Sequence, residues 1–230
     1  MNIFRKWSKM TAKKNPRYYL GDSCICWSFG NEISPEISSR VLAAYETITK
    51  ATHMSKLGVF DLVPSYNELA VYFDPVKSSV NKIIKSIEKS IETSIQSSAN
   101  EIEKSSKNRK SIIIPVVYNG EDLERVAELN HLTISDVIHL HTSVVYTVAM
   151  VGFLPHFPYL IGLDKKLVTS RLDSPRTLVP AGSVAIGGAQ TGIYPQDSPG
   201  GWNILGQTDT ALLKPIKPAD IIEFRSVKEL

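Results

Sequence analysis

Residues 152–208 constrain this chain more than any other stretch. They read GFLPHFPYLIGLDKKLVTSRLDSPRTLVPAGSVAIGGAQTGIYPQDSPGGWNILGQT and hold more than half of its glycines and prolines taken together. Those residues interrupt helices, so the stretch can only form short extended segments joined by tight turns. Turns by themselves need Gly, Pro, Asn, Asp or Ser. Here Phe153, Phe157, Tyr159, Tyr194 and Trp202, with the amides Gln190, Asn203 and Gln207, are set among the glycines. Two readings follow: the shaped wall of a small-molecule cavity, or a tightly turned β-barrel that binds nothing.

A chain of 230 residues supports one large domain or two of moderate size. With 43% hydrophobic and 21% charged residues it has the composition of a globular protein. The net charge of +3 is small and concentrated toward the start, which leaves no basic face for nucleic acid. Arg5, Lys6, Lys9, Lys13, Lys14 and Arg17 precede the first acidic residue, Asp22. That opening lacks the apolar core of a secretory signal, so a flexible basic tail is expected over residues 1–16. Cys24 and Cys26 stand two apart, a spacing that suits neither a redox pair nor a zinc knuckle. A reduced, cytoplasmic setting is expected, and no apolar run is long enough to span a bilayer.

In chain order, strands are expected over Arg17–Leu20 and Cys24–Phe29, separated by Gly21-Asp22. Ser34-Pro35-Glu36 then opens a helix, with serine as cap and proline at the first position. Val59–Val63 and Leu69–Phe73 are the next strands, and Asp74-Pro75 starts a long amphipathic helix. Its stripe is Val80, Ile83, Ile84, Ile87, Ile91, Ile95 and Ile102. The first part of the chain is thus a small α+β layer with its helices on one face, residues 17–105. The polar segment Ser105–Lys110 marks the boundary to a second domain, residues 106–230. It holds a strand over Ile112–Val117, placed at an edge by Pro115, and short helices over Leu123–Leu129 and Ile134–His141, the second capped by Thr133. Strands over Val144–Met150 and Ile221–Phe224 flank the Gly/Pro-rich stretch, and together they suggest a closed or nearly closed β-barrel. The fold class is α+β.

Familiar catalytic signatures fail. Gly187 and Gly192 have the spacing of a P-loop, but Ile193 and Tyr194 stand where its lysine and serine belong. Gly187-Gly188 does not fit a dinucleotide fingerprint, and Ser198 lacks the first glycine of a nucleophile elbow. His139 and His141 diverge on a helix and cannot chelate one ion, so no metal site is expected. His141 stands either at a cavity mouth as acid or base or at a helix end interacting with the dipole. Arg171 and Arg176 bracket Leu172–Pro175. An arginine fork takes a carboxylate in bidentate fashion, whereas Arg171 is expected to pair with Asp164 or Asp173 as a structural bridge.

Several segments carry a resemblance to a known family. They are Gly152–Pro155, Phe157–Leu160, Pro175–Thr177, Val179–Val184, Gln190–Pro195 and Ser198–Trp202, with Gly21–Ser23, Phe29–Ile33 and Val63–Asn67 in the first domain. Together they resemble the family of the bacterial 5-oxoprolinase B subunit, also called allophanate hydrolase subunit 1 or sporulation-kinase inhibitor. The chain is similar as well to the carboxyltransferase part of urea amidolyase. Three positions depart from the family pattern: His156 and Ile161 stand where glycine is usual, and Tyr118–Leu123 is shortened.

The resemblance implies a cyclophilin-like barrel over 106–230 and a cytoplasmic protein that is inactive alone. It implies as partners a homologous second barrel protein, the C subunit of 5-oxoprolinase, and a separate third one, the A subunit. Together they couple ATP hydrolysis to opening of 5-oxoproline to glutamate, with ATP shared with or bound by the partners. His141, Arg176, Gln190 and Tyr194 are the catalytic candidates. Phe157, Pro158, Tyr159, Gly187, Gly188, Thr191, Gly200, Gly201 and Trp202 are the substrate-binding candidates. In this reading the amides of Gly187-Gly188 and Gly200-Gly201 polarise the lactam carbonyl, Arg176 takes the carboxylate, Gln190 and Tyr194 orient the ring, and His141 moves a proton. The rival functions are a binding protein that inhibits a sensor histidine kinase and a urea-type carboxyltransferase relative.

Overall fold

The computed structural model describes the backbone of residues 16–108 and 111–230, and the side chains of 16–95 and 111–230. The expected basic tail lies, apart from Pro16, outside the described residues. The chain divides into two compact units, Met1–Glu101 and Ile102–Leu230.

In the first unit β1 (Arg17–Tyr19), β2 (Cys24–Ser28), β3 (Val59–Pro64) and β4 (Glu68–Phe73) form an antiparallel sheet in the order β1-β2-β4-β3. Helix α1 (Pro35–Thr49) begins where its cap demands: Ser34 Oγ accepts a hydrogen bond from the Ile37 N–H at 3.2 Å. The sheet contributes Ile25, Trp27, Leu69, Val71 and Phe73 to one core, which α1 covers with Val41, Ala44 and Ile48. Helix α2 (Val80–Asn108) adds Ile83, Ile87 and Ile91 to that core. It starts later than Asp74-Pro75 because the Asp74 carboxylate accepts from the Val76 and Lys77 amides and holds a separate turn there. On its apolar stripe Ile95 is exposed, and Ile102 lies outside the residues whose side chains are described. Cys24 and Cys26 are buried free thiols, and burial pushes Cys24 up to about 11, which keeps it protonated at neutral pH. The polar run expected to be a boundary coincides at 105–108 with the last turns of α2.

The second unit is built on a seven-stranded sheet. Its members in chain order are β5 (Ile112–Val116), β6 (Val145–Val151), β7 (Pro158–Ile161), β9 (Ser183–Gly187), β10 (Gln190–Ile193), β12 (Asn203–Gln207) and β13 (Ile221–Ser226). They are arranged β12-β9-β10-β7-β6-β13-β5, and a separate ribbon pairs β8 (Arg176–Val179) with β11 (Ser198–Gly200). Pro115 sits on the edge strand β5, as its missing N–H requires. The two edges then meet. Val117 and Gln207 exchange backbone hydrogen bonds at 3.0 and 2.9 Å, so the sheet is nearly closed. Helix α3 (Leu123–Leu129) and helix α4 (Ile134–Thr142) contribute Leu123, Val126 and Val137 to the core that includes Val148, Leu160, Val184 and Ile222. The expected cap of α4 is present as a reciprocal box between Thr133 and Asp136.

Candidate functional site

Strands β9 and β10 have two working faces. Side chains alternate along a strand, and Val184, Ile186 and Ile193 enter the larger core while Ala185 and Tyr194 enter a second, aromatic one. That second core is Phe157, Tyr194 and Trp202, all buried, with Tyr159 half-buried beside them. Their rings meet edge to face: Phe157 lies 5.1 Å from Tyr194 and 5.8 Å from Trp202, and Tyr159 lies 5.6 Å from Trp202. Such pairs add roughly 0.5–1.5 kcal/mol each to the burial of the rings.

The glycines of the stretch serve these rings. A Cβ on Gly187 would stand 2.6 Å from Trp202 Cδ1, and one on Gly200 would strike the Tyr194 hydroxyl. Gly188 has φ +63 in the turn between β9 and β10, and its amide donates to the Thr169 carbonyl at 2.7 Å. Gly201 is half-buried and its carbonyl accepts from the Leu172 amide at 2.7 Å. The close approach that glycine permits is therefore made here by protein side chains, and the Gly188 amide, expected to face a ligand, is engaged within the chain.

Arg176 is engaged as well. Its Nε reaches Glu121 Oε1 and its Nη2 reaches Asp122 Oδ1, each at 2.7 Å, while Nη1 donates to the Trp202 carbonyl at 3.4 Å. Asp122 is buried, and its other oxygen accepts from the Ile204 amide at 2.7 Å. The arginine expected to hold a substrate carboxylate instead ties the start of α3 to β8 and β12. Arg171, expected to form a structural bridge, has no ion pair with Asp164 or Asp173. Its guanidinium lies 5.8 Å over the Trp202 ring.

His141 does not lie with the aromatic face. It is fully buried, stacked on Phe224 at 4.5 Å, with Nδ1 2.7 Å from the Tyr118 hydroxyl and Nε2 3.0 Å from Thr191 Oγ1. Thr191 Oγ1 also donates to the Ala185 carbonyl, so it accepts from His141. The proton therefore sits on Nε2, and Nδ1 accepts from Tyr118. Burial pushes the imidazole down to about 3, which keeps it neutral. Of the two places expected for His141, the helix end is the one found, in the last turn of α4, and with the substrate-binding candidate Thr191 it forms an interior polar chain.

Gln190 is half-buried and shares its face of β10 with Gly192, and Tyr194 follows the end of the strand. Pro158 is buried at the start of β7. The connection from β6 into β7 is strained. A hydrogen bond from the Leu154 amide to the Gly152 carbonyl closes a γ-turn around Phe153 at φ +66, the uncommon hand. The next turn, closed by Phe157 N–H to the Leu154 carbonyl, has Pro155 first and His156 second at φ +69. That second position favours glycine, which accounts for His156 being a departure. His156→Gly is expected to raise stability by up to about 1 kcal/mol, read from the urea midpoint; a lower midpoint would contradict the strain. Phe153 is left 62% exposed with its ring 5.7 Å from Phe157. Ser198 Oγ is buried without a hydrogen-bond partner.

The structure thus gathers Phe157, Tyr159, Tyr194, Trp202, Gly187 and Gly200 at one face with Gln190 beside them. It sends His141 and Thr191 to the interior and turns Arg176 onto Glu121 and Asp122. The carboxylate pair on Arg176 and the Tyr118 contact to His141 escaped the sequence reading, because the partners are 54 and 23 residues away.

Comparison with known proteins agrees with this architecture. The family model described as "Carboxyltransferase domain, subdomain C and D" matches residues 17–221. The chain is 37% identical over 223 residues to the B subunit of 5-oxoprolinase from Bacillus subtilis (strain 168), covering 91% of this chain and 92% of that one. A 51% identity over 115 residues links it to the 5-oxoprolinase B subunit of Haemophilus influenzae, covering 49% of this chain and 54% of the other. A crystal structure of TTHA0988 superimposes with a TM-score of 0.76 at 32% identity, over 90% of this chain but 41% of that one. Urea amidolyase of K. lactis shares the fold, with a TM-score of 0.67 at 18% identity over 92% of this chain and 15% of the enzyme. The chain belongs to the carboxyltransferase domain family, subdomains C and D, together with the B subunits of bacterial 5-oxoprolinases.

Proposed function

We propose that this chain is a non-autonomous subunit of a 5-oxoprolinase, a complex that opens the lactam of 5-oxoproline to glutamate with ATP hydrolysis. The observation that carries the proposal is the end-to-end match to the Bacillus subtilis protein, which covers more than nine-tenths of both chains. The chemistry of the aromatic face is compatible with it. In this reading a small planar amide would lie over the half-buried Tyr159 beside the buried Trp202, with the half-buried Gln190 side-chain amide as a donor to its carbonyl. Tyr194 and Phe157 form the floor, and the Glu121–Arg176–Asp122 contacts hold that floor against α3.

Among the described residues, the glycines spaced like a P-loop do not form a nucleotide phosphate site. Gly187 and Gly192 belong to adjacent strands of a hairpin, not to a loop that opens a helix, and Ile193 and Tyr194 take the places of the lysine and serine. In the proposed complex ATP is bound by the partner proteins, and the interior His141 is a structural group. The experiment is coexpression with candidate A and C subunits and an assay of glutamate formation from 5-oxoproline and ATP. Glutamate is expected only when this chain is present; equal turnover by the two partners alone would refute the proposal.

A further inference from the structure

Among the described residues, Arg171 is the cation that meets the aromatic face without being engaged by a carboxylate. The two arginines flanking Leu172–Pro175 have divided their tasks. Arg176 is saturated by Glu121, Asp122 and the Trp202 carbonyl. Among the described residues Arg171 has no carboxylate within ion-pair distance, is exposed, and lies over Trp202. Its backbone is fixed from both sides. The Ser170 carbonyl accepts from Asn203 Nδ2 at 2.9 Å, and the Leu172 amide donates to Gly201. Asn203 is itself fully buried and held by Arg125 Nε at 3.2 Å. An arginine on a pinned segment, with its guanidinium over an indole, loses little freedom when its fork closes on a ligand.

The charge also reaches the phenols of the face. Burial pushes the Tyr159 and Tyr194 hydroxyls up, and the positive charge of Arg171 offsets part of that on both. A guanidinium 5.8 Å over the Trp202 ring, whose charge reaches two tyrosine hydroxyls, stands beside the half-buried Tyr159. Trp202 is 5% exposed, so the half-buried Tyr159 ring and the exposed Arg171 guanidinium are what this rim offers to solvent. Such a surface suits a small ligand with a flat ring at one end and a carboxylate at the other.

We propose that Arg171, and not Arg176, is the carboxylate anchor of this face, binding small cyclic amides that carry an acid group with the ring against Tyr159 and Trp202. The identity of the ring rests on the 5-oxoprolinase reading; the recognition of a carboxylate by Arg171 does not. Full-length protein, alone and with its partner proteins, is titrated with 5-oxoproline and with its uncharged carboxamide. Wild-type protein is expected to prefer the acid. Arg171→Met is expected to weaken the acid about 10- to 100-fold while leaving the carboxamide within about twofold, and Arg171→Lys is expected to recover only part, since it keeps the charge and loses the fork. Unchanged far-ultraviolet circular dichroism and urea midpoint show that the variants fold.

Equal binding of the acid by wild type and Arg171→Met would overturn the proposal, as would saturable binding of neither ligand by the wild type. Turnover of 5-oxoproline by an Arg171→Met complex with unchanged KM would remove Arg171 and leave the place of this chain in the complex intact. Conversely, Arg171-dependent binding of the acid in a complex that forms no glutamate would remove that place and keep the anchor.

Discussion

Asp122→Ala is expected to lower the stability of the barrel unit by about 3 kcal/mol, read from the urea midpoint. Asp122 is 4% exposed and its carboxylate bonds at both oxygens, to Arg176 Nη2 and to the Ile204 amide, each at 2.7 Å. Removing it leaves a buried backbone N–H without an acceptor, which costs about 1–3 kcal/mol. It also leaves a partly buried guanidinium with Glu121 alone, whose side chain is 59% exposed and whose bond is weakened by solvent. Asp122→Asn keeps one acceptor and is expected to lose less than the alanine variant. Because Arg176 also donates to the Trp202 carbonyl, the alanine change should loosen the indole and blue- or red-shift its fluorescence. A loss under about 0.5 kcal/mol would show that the ion pair is a surface feature.

Acidification is expected to destabilise the same unit through His141. In the folded chain the imidazole is pushed down to about 3 by burial, whereas in the unfolded chain it titrates near about 6.5. Between those values the unfolded state binds the extra proton, so stability falls as pH falls through that window and is fully present above it. The slope is about 1.4 kcal/mol per pH unit, which gives about 2 kcal/mol between pH 6.5 and pH 5. His141→Gln removes the titrating group and is expected to flatten this part of the profile while lowering stability at neutral pH, because the pairing with Tyr118 and Thr191 is disturbed. A wild-type profile that is flat across that acidic window would show that His141 is open to protons when folded. It would then be available for acid–base chemistry.

Local features were legible in the sequence because their causes are local. Ser34 caps α1 and Thr133 caps α4 through amides three residues ahead, and Pro115 marks an edge through its own missing donor. The late start of α2 was missed for an equally local reason, competition from the Asp74 side chain for the Val76 and Lys77 amides. The glycine-rich stretch was recognisable as turns and strands, yet the use of its glycines was not. Nothing adjacent in sequence indicates that Trp202 will lie on Gly187 or that Tyr194 will meet Gly200. The surroundings of the site residues were not legible where they depended on distant partners. His141 is held by Thr191, fifty residues onward, and Arg176 by Asp122, 54 residues back. With those two residues engaged by internal partners, the proposed reactive surface passes to Tyr159, Gln190, Trp202 and Arg171.

That transfer is tested most directly by a crystal structure of the assembled complex with 5-oxoproline bound. The ring is predicted to lie against Tyr159 and Trp202, with both carboxylate oxygens within about 3 Å of the Arg171 guanidinium. Density for the ligand in the interior beside His141 and Thr191, or against Arg176 with its bonds to Glu121 and Asp122 broken, would contradict the account.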